Sequence, residues 1–422
     1  MTAQLALLNK NGIALATDSS LTIVGNNNKK VFNTGDKLFQ LSEYNPVSIM
    51  IYGSAHLMGI PWETIIKYYR KDYLRDISFD SLKEYCIDFF KYIREAPLLN
   101  NNYSREKHLI QTLGVYLRKF LTGVDKIMEE NEKDETVANV IHSELDRLLS
   151  MVINKIPFSE GFNEKFVERN LVTLDAILDN LINDTLNIEV QSNTRKKIKE
   201  LLISCLAREF YEDTSTGVVI TGYGEGEIFP SLYEYKIEGI IQGILKLKLE
   251  SSTTISSEKK AVALKTFAEK EMIETFMLGI DPNLQEEILK SFRTIILEKY
   301  PNILTEDLGI TLPKDKEHSL VKLSYQLYNV VKQNIQMYQN HHCTAPILKT
   351  IEQMPEEEMA IVAETLINLT SLKKKVTMST ETVGGPIDVA CISKNDGLIW
   401  IKRKHYFNPE LNYRYFSQLN FD

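Results

Sequence analysis

The first residue able to carry covalent chemistry stands at the start of the chain. Thr2 follows Met1, and a small second residue favours removal of the initiator methionine. Removal would leave a threonine with a free α-amine. A threonine hydroxyl is a weak nucleophile unless a base lies beside it, and its own α-amine can be that base. The amine titrates at about pH 8, so a neighbouring cation that lowers its pKa would leave much of it neutral. Other clusters carry less. His341-His342-Cys343 has no partner at a metal-ligand spacing, so no metal is expected. Gly222-Tyr223-Gly224-Glu225-Gly226 lacks the Gly-Lys-Ser/Thr and the helix of a phosphate loop, and reads as a hairpin loop. Glu356-Glu357-Glu358 and Lys373-Lys374-Lys375 suit the two ends of one helix, where each complements the dipole. Lys402-Arg403-Lys404-His405-Tyr406-Phe407 is a local basic-aromatic patch. At the edge of an acidic chain it reads as a strand end or subunit contact before a nucleic-acid surface.

The elements that would position Thr2 follow from the pattern around it. Ala3–Leu8 and Ile13–Thr17 are apolar runs separated by Asn11-Gly12, a hairpin signal. Starting the chain with a strand would hold Thr2 rigidly at a sheet edge. Lys37–Ser42 and Val47–Tyr52 form a second hairpin about Glu43–Pro46, with 26–30 as a polar loop before it. Helical spacing begins at Pro61 and recurs over Ser78–Glu95. Between 100 and 212, Leu109–Leu121, Thr136–Ile153, Glu164–Asn183 and Thr194–Tyr211 all show helical spacing and no chemical motif. Strand signals return at Gly217–Thr221 and Leu232–Ile237. Helices follow at Ser257–Gly279, Leu284–Tyr300, Ser319–Tyr338 and Glu356–Leu372. Ile387–Ser393 and Leu398–Lys402 close the chain as a hairpin about Asp396-Gly397. Strands and helices in blocks point to antiparallel sheets covered by helices, an α+β class.

Composition bounds the function. The chain has 422 residues, 43% hydrophobic and 25% charged, with 19 Gly and 12 Pro. That is a globular chain, neither collagen-like nor low-complexity. A net charge of −8 gives no support to a nucleic-acid or anionic-membrane binder. Cys86, Cys205, Cys343 and Cys391 are widely spaced with no CxxC pair, so a disulfide framework is not expected. The start MTAQLALLNKNG has no basic segment before its short apolar run, unlike a signal peptide. No run of 18 apolar residues is present to span a bilayer. The expected setting is the cytoplasm.

Residues 2–55 resemble the start of a proteasome β subunit of the N-terminal-nucleophile (Ntn) hydrolase superfamily. The matching pieces are Thr2, the hairpin Leu5–Asp18, Thr22, Lys37-Leu38-Phe39-Gln40-Leu41 and Gly53-Ser54-Ala55. Gly384-Gly385-Pro386-Ile387-Asp388-Val389-Ala390 resembles the family's last hairpin, and Val218–Thr221 with Ser231-Leu232-Tyr233-Glu234 a middle one. The resemblance implies a four-layer αββα sandwich of antiparallel sheets, here with a large helical insertion. Its domain would be discontinuous over 1–99 and 213–410, with helical additions around 257–345. Residues 100–212 would be the insertion and 411–422 a tail.

The resemblance also implies roles. Thr2 falls on the nucleophile, Asp18 on the acid that orients the active-site lysine, and Lys37 on that lysine. Thr22 falls where the family binds an extended substrate backbone. Met50 or Ile51 falls on the residue whose backbone N–H receives the oxyanion. Val383 replaces a supporting serine, and the nearby aspartate falls on Thr380 or Glu381. The implied activity is a threonine hydrolase of peptide or amide bonds, without cofactor or metal. It would act on a peptide or protein substrate and assemble as a homo-oligomer, a ring included. The changes at Met50 and Val383 leave an alternative: an inactive assembly protein whose residues 100–212 bind a partner protein. A third alternative is an Ntn amidase acting on a small metabolite.

Overall fold

The computed structural model describes residues 2–24, 29–130, 137–186, 191–212, 214–258, 260–299, 303, 309, 313–377, 383–405 and 407–412. Thr380 and Glu381 and most of the expected tail lie outside them. In chain order the strands are β1 (Ala3–Leu8), β2 (Ile13–Thr17), β3 (Leu21–Val24), β4 (Lys29–Phe32), β5 (Leu38–Gln40), β6 (Val47–Gly53), β7 (His56–Leu57) and β8 (Ile60–Pro61). After the central helices come β9 (Thr216–Gly222), β10 (Ser231–Ile241), β11 (Ile244–Thr254), β12 (Ala263–Ala268), β13 (Asp388–Ser393) and β14 (Gly397–Lys402). The helices are α1 (Trp62–Tyr68), α2 (Leu82–Glu95), α3 (Asn102–Glu130), α4 (Val137–Lys155), α5 (Glu164–Thr173), α6 (Asp175–Thr185) and α7 (Ser192–Ala207). They continue with α8 (Glu271–Leu278), α9 (Pro282–Thr294), α10 (Lys314–Tyr338), α11 (Ala345–Glu352) and α12 (Glu356–Val376).

The chain forms two compact units. The first comprises 1–35, 255–393 and 399–422. Its sheet has the order β12-β1-β2-β13-β14. The pairings of β1 with β12 and β2, and of β2 with β13, are antiparallel. Every residue of β1 and β2 is buried, so their sequences are apolar almost throughout instead of alternating. Ala3, Leu5, Leu7, Ala14 and Ala16 pack on Met359, Ala360, Ala363 and Ile367 of α12 and on Ile273 of α8. The acidic first turn and basic last turn of α12 stand as their charges require.

The second unit comprises 36–254 and 394–398. Its sheet has the order β11-β10-β9-β6-β5, with all four neighbouring pairs antiparallel. Trp62, Ile65, Ile66 and Tyr69 join Tyr85, Phe89 and Ile93 of α2 over Ile49, Ile51, Val218 and Ile220. A separate core holds α3 to α7 together through residues such as Leu113, Leu117, Leu145, Leu178 and Leu202. Each unit thus contributes an antiparallel sheet backed by helices, and the class is α+β.

Several elements differ from the sequence reading. Ser257–Gly279 is not one helix: β12 occupies Ala263–Ala268 and the helix begins at Glu271. The register of β12 on β1 runs from Ala3↔Ala268 to Leu8↔Ala263. A partner more than 250 residues away in sequence thereby overrides a local helical spacing. The expected loop at 26–30 is shorter, because Lys29 and Lys30 pair in β4 with Val24 and Ile23. Glu164–Asn183 is two helices that meet at Leu174, which caps the first.

Candidate active site

Thr2 sits at the head of β1, which lies between β12 and β2 in the first sheet. It is 6% exposed. Its carbonyl accepts the Glu269 N–H at 2.9 Å, so β12 holds one side of the strand head. On the other side, the Ala3 N–H donates to Asp18 Oδ1 at 3.1 Å, while the Asp18 N–H donates to the Ala3 carbonyl at 3.1 Å. The chain is therefore clamped on both sides of the Thr2–Ala3 peptide.

Asp18 is fully buried just past the end of β2. Besides Ala3, its carboxylate accepts from the Ser20 N–H at 3.2 Å and the Gly384 N–H at 3.1 Å. The Ser19 N–H donates to the Gly384 carbonyl at 3.1 Å, and the Ser19 hydroxyl to the Pro386 carbonyl at 2.6 Å. The Ser20 hydroxyl donates to Asn33 Oδ1 at 2.9 Å. Gly385 has φ +75°, and a Cβ there would lie 2.8 Å from the Asn33 carbonyl oxygen. A glycine is required at that turn. One carboxylate thus ties together the head of β1, the end of β2 and the Gly384-Gly385 turn. The structure brings Thr2 and Asp18 together as neighbours across β1 and β2. Val383, expected to replace a serine, is buried in the core of the same unit.

Lys37, Met50 and Ile51 belong to the second unit. Lys37 is buried, immediately before β5. Its carbonyl accepts the Ile51 N–H at 2.9 Å, so that amide is already engaged. Met50 faces Leu38 on one side and Val219 on the other, inside a three-strand ladder. An oxyanion requires an amide outside such a ladder. The Met50 and Ile51 amides thus lie within the second sheet. Gly53 has φ +83°, and a Cβ there would meet the Ser215 carbonyl at 2.8 Å. Thr22 lies in β3 opposite Val31. The other edge of β3 carries no strand among the described residues.

The remaining candidates resolve into structure. Lys402 pairs with Glu364 at 2.5 Å, Lys404 pairs with Asp388, and Arg403 lies 4.5 Å over the Trp400 ring. The basic patch is thus used within its own unit. His342 packs on Tyr338, with ring centroids 4.6 Å apart. No group of three metal-ligating side chains occurs among the described residues, and no described helix is long and apolar enough to cross a membrane. Burial pushes the Cys86 and Cys205 thiols up to about 12 and the Cys391 thiol up to about 11, which disfavours them as nucleophiles. A cavity of about 250 Å³ is lined by Met58, Tyr103, Lys107 and His108 among others. Another of about 410 Å³ is lined by Lys349–Thr350 and Gln353–Pro355. Neither lining includes Thr2, Asp18 or Lys37.

No family model matches the chain, and no curated protein matches it. Similar solved structures are those of Anbu proteins. The "Helical Assembly of the Anbu Complex from Pseudomonas aeruginosa" is 10% identical with a TM-score of 0.32, over 99% of this chain and 94% of that one. "Anbu (ancestral beta-subunit) from Yersinia bercovieri" is 10% identical with a TM-score of 0.29, over 99% and 94%. Anbu from Hyphomicrobium sp. strain MC1 is 8% identical with a TM-score of 0.29, over 99% and 95%. These findings correct the resemblance to proteasome β subunits: the likeness is to Anbu, named as an ancestral beta-subunit. At these TM-scores it carries no argument about activity or assembly.

Proposed function

We propose that this chain is a hydrolase of peptide or amide bonds that uses Thr2 as its nucleophile once the chain has been trimmed to that residue. The observation that supports this reading most is the double clamp on the Thr2–Ala3 peptide, from Glu269 on one side and Asp18 on the other. A nucleophile that carries its own base gains from a strand head held so rigidly. In this reading the Thr2 hydroxyl attacks the carbonyl carbon and the Thr2 amine takes its proton. The amine then returns the proton to the leaving nitrogen, and water hydrolyses the ester. Asp18 orients the Thr2–Ala3 peptide that carries the nucleophile. The open edge of β3 accepts an extended substrate as an added strand. The compartment is reducing and cytoplasmic, and no cofactor takes part.

One observation favours the alternative, an assembly protein without catalysis. The Asp18 carboxylate satisfies three backbone N–H groups, a structural role complete in itself. Treatment with an electrophilic acylating probe separates the two readings. A single adduct that disappears in Thr2→Ala supports the hydrolase. An adduct unchanged by Thr2→Ala, or none on a chain that begins at Thr2, overturns it.

A further inference from the structure

Helix α10 has two apolar faces, and its own unit covers one. On the covered face Ser324 and Gln339 are buried and Val331 and Ile335 partly so. Gln339 Nε2 donates to Gln285 Oε1 at 2.7 Å, which fastens that face to α9. The second face carries Leu323, Leu327, Val330, Asn334 and Met337. Their spacing is four, three, four, three, the a/d repeat of a coiled-coil seam. The four apolar members are 52%, 49%, 50% and 52% exposed. Half-exposed apolar residues occur singly on most surfaces; four in a heptad register on one helix form a docking stripe.

We propose that this stripe pairs with the same stripe of a second copy of the chain, as a parallel two-stranded coiled coil with Asn334 facing Asn334. Three features select this occupant. The first is charge. The open flank beside the stripe carries Gln326, Gln333 and Asn340, and Lys322 and Lys332 fall at register positions away from the seam. Along Leu323–Met337 a second copy therefore meets no like charge, and a charged partner finds no opposite one; Lys316 lies one heptad before Leu323, outside the stripe. The second is Asn334 at an a position. A polar residue there costs stability against an apolar partner, and paired with itself it fixes register and two-fold pairing. The third is size. The stripe runs roughly 21 Å along the helix, and joining two copies with their flanks buries on the order of 1,000 Å², the lower bound for a specific interface. A free peptide of this length would not pair. Helix α10 is already folded against its unit, so association orders few groups. Self-association through this seam is independent of any chemistry at Thr2.

The test is the mass of the full chain by light scattering, for wild type and for Leu323→Glu/Leu327→Glu, with far-UV circular dichroism on both. The expected result is an even-numbered assembly. The substitutions, counted twice across a two-fold, weaken it by about 100-fold or more at unchanged helix content. Asn334→Cys in the otherwise wild-type chain, oxidised under non-denaturing conditions, should give a covalent dimer. This variant keeps the proposal testable if the glutamate pair unfolds. A wild-type chain that stays monomeric across the micromolar range overturns the proposal. So does a mass distribution that the glutamate pair leaves unchanged, or an Asn334→Cys chain that stays uncrosslinked. A monomer that floats with lipid vesicles overturns it in favour of a membrane surface.

Discussion

Asp18 and Lys246 are two buried charges whose removal should be felt differently. Asp18→Ala strips three backbone N–H groups of their acceptor. Each orphaned donor costs about 1–3 kcal/mol, so the denaturant midpoint should fall by the equivalent of about 3 kcal/mol or more. The loss should appear whether or not Thr2 is catalytic. Lys246 is fully buried against Glu238 at 2.7 Å. It also donates to the Tyr116 hydroxyl and to the Cys205 and Phe210 carbonyls. Lys246→Met leaves the Glu238 carboxylate buried beside the Tyr116 and Thr214 hydroxyls alone and should cost about 3–5 kcal/mol. Adding Glu238→Gln removes the stranded charge and should restore about half of that. A double-mutant cycle in urea measures the coupling. Thr2 and Asp18 were legible in the sequence because the Asn11-Gly12 turn fixes the hairpin between them. Met50 and Ile51 lie inside the ladder of the second sheet, a pairing that a local window does not show. Neither buried member of the Glu238–Lys246 pair was visible, since a lysine in an alternating strand reads as surface.

At the scale of elements, α3 meets the second sheet through His108. This residue is 8% exposed, and a Cβ on Gly239 would lie 2.7 Å from its Nε2. Burial holds its pKa below the usual histidine value, against a smaller opposing pull from Glu238. The unfolded histidine takes up a proton near pH 6.5, while the folded one stays neutral. Below that pH the unfolded state binds more protons, so stability is present above about pH 6.5 and lost as the pH falls. Melting temperature should therefore drop between about pH 7.5 and about pH 5, and drop less in His108→Gln. An equal drop in both would assign the pH dependence to other groups. Helices α3, α4 and α7 were readable from spacing alone because their core is local, whereas α5 and α6 read as one helix. Leu245, Leu247 and Leu249 alternate with Lys246, Lys248 and Glu250, a period-two signal for β11 that was in the sequence. β12 had no comparable signal. Ala263–Ala268 is a strand because of its pairing with β1, and long-range pairing leaves little trace in a short window.

For the whole molecule, 19 Gly and 12 Pro in 422 residues suit a chain with twelve α-helices among the described residues. The first sheet assembles from the two ends of the chain and β12, so no contiguous segment contains it. Truncation after Tyr338 would remove α12, β13 and β14 and leave β2 an open edge. Such a chain should fail to give a cooperative melt, and a cooperative melt at the full-length temperature would contradict the two-unit description. Everything proposed for the chemistry turns on the first residue of the working protein. The most direct measurement is the mass of the purified chain after exposure to an electrophilic acylating probe, with the adduct located by peptide mapping. A hydrolase of this kind should give a chain that begins at Thr2 and bears one adduct there, absent from Thr2→Ala. A chain that retains residues before Thr2, or an adduct that survives Thr2→Ala, contradicts it.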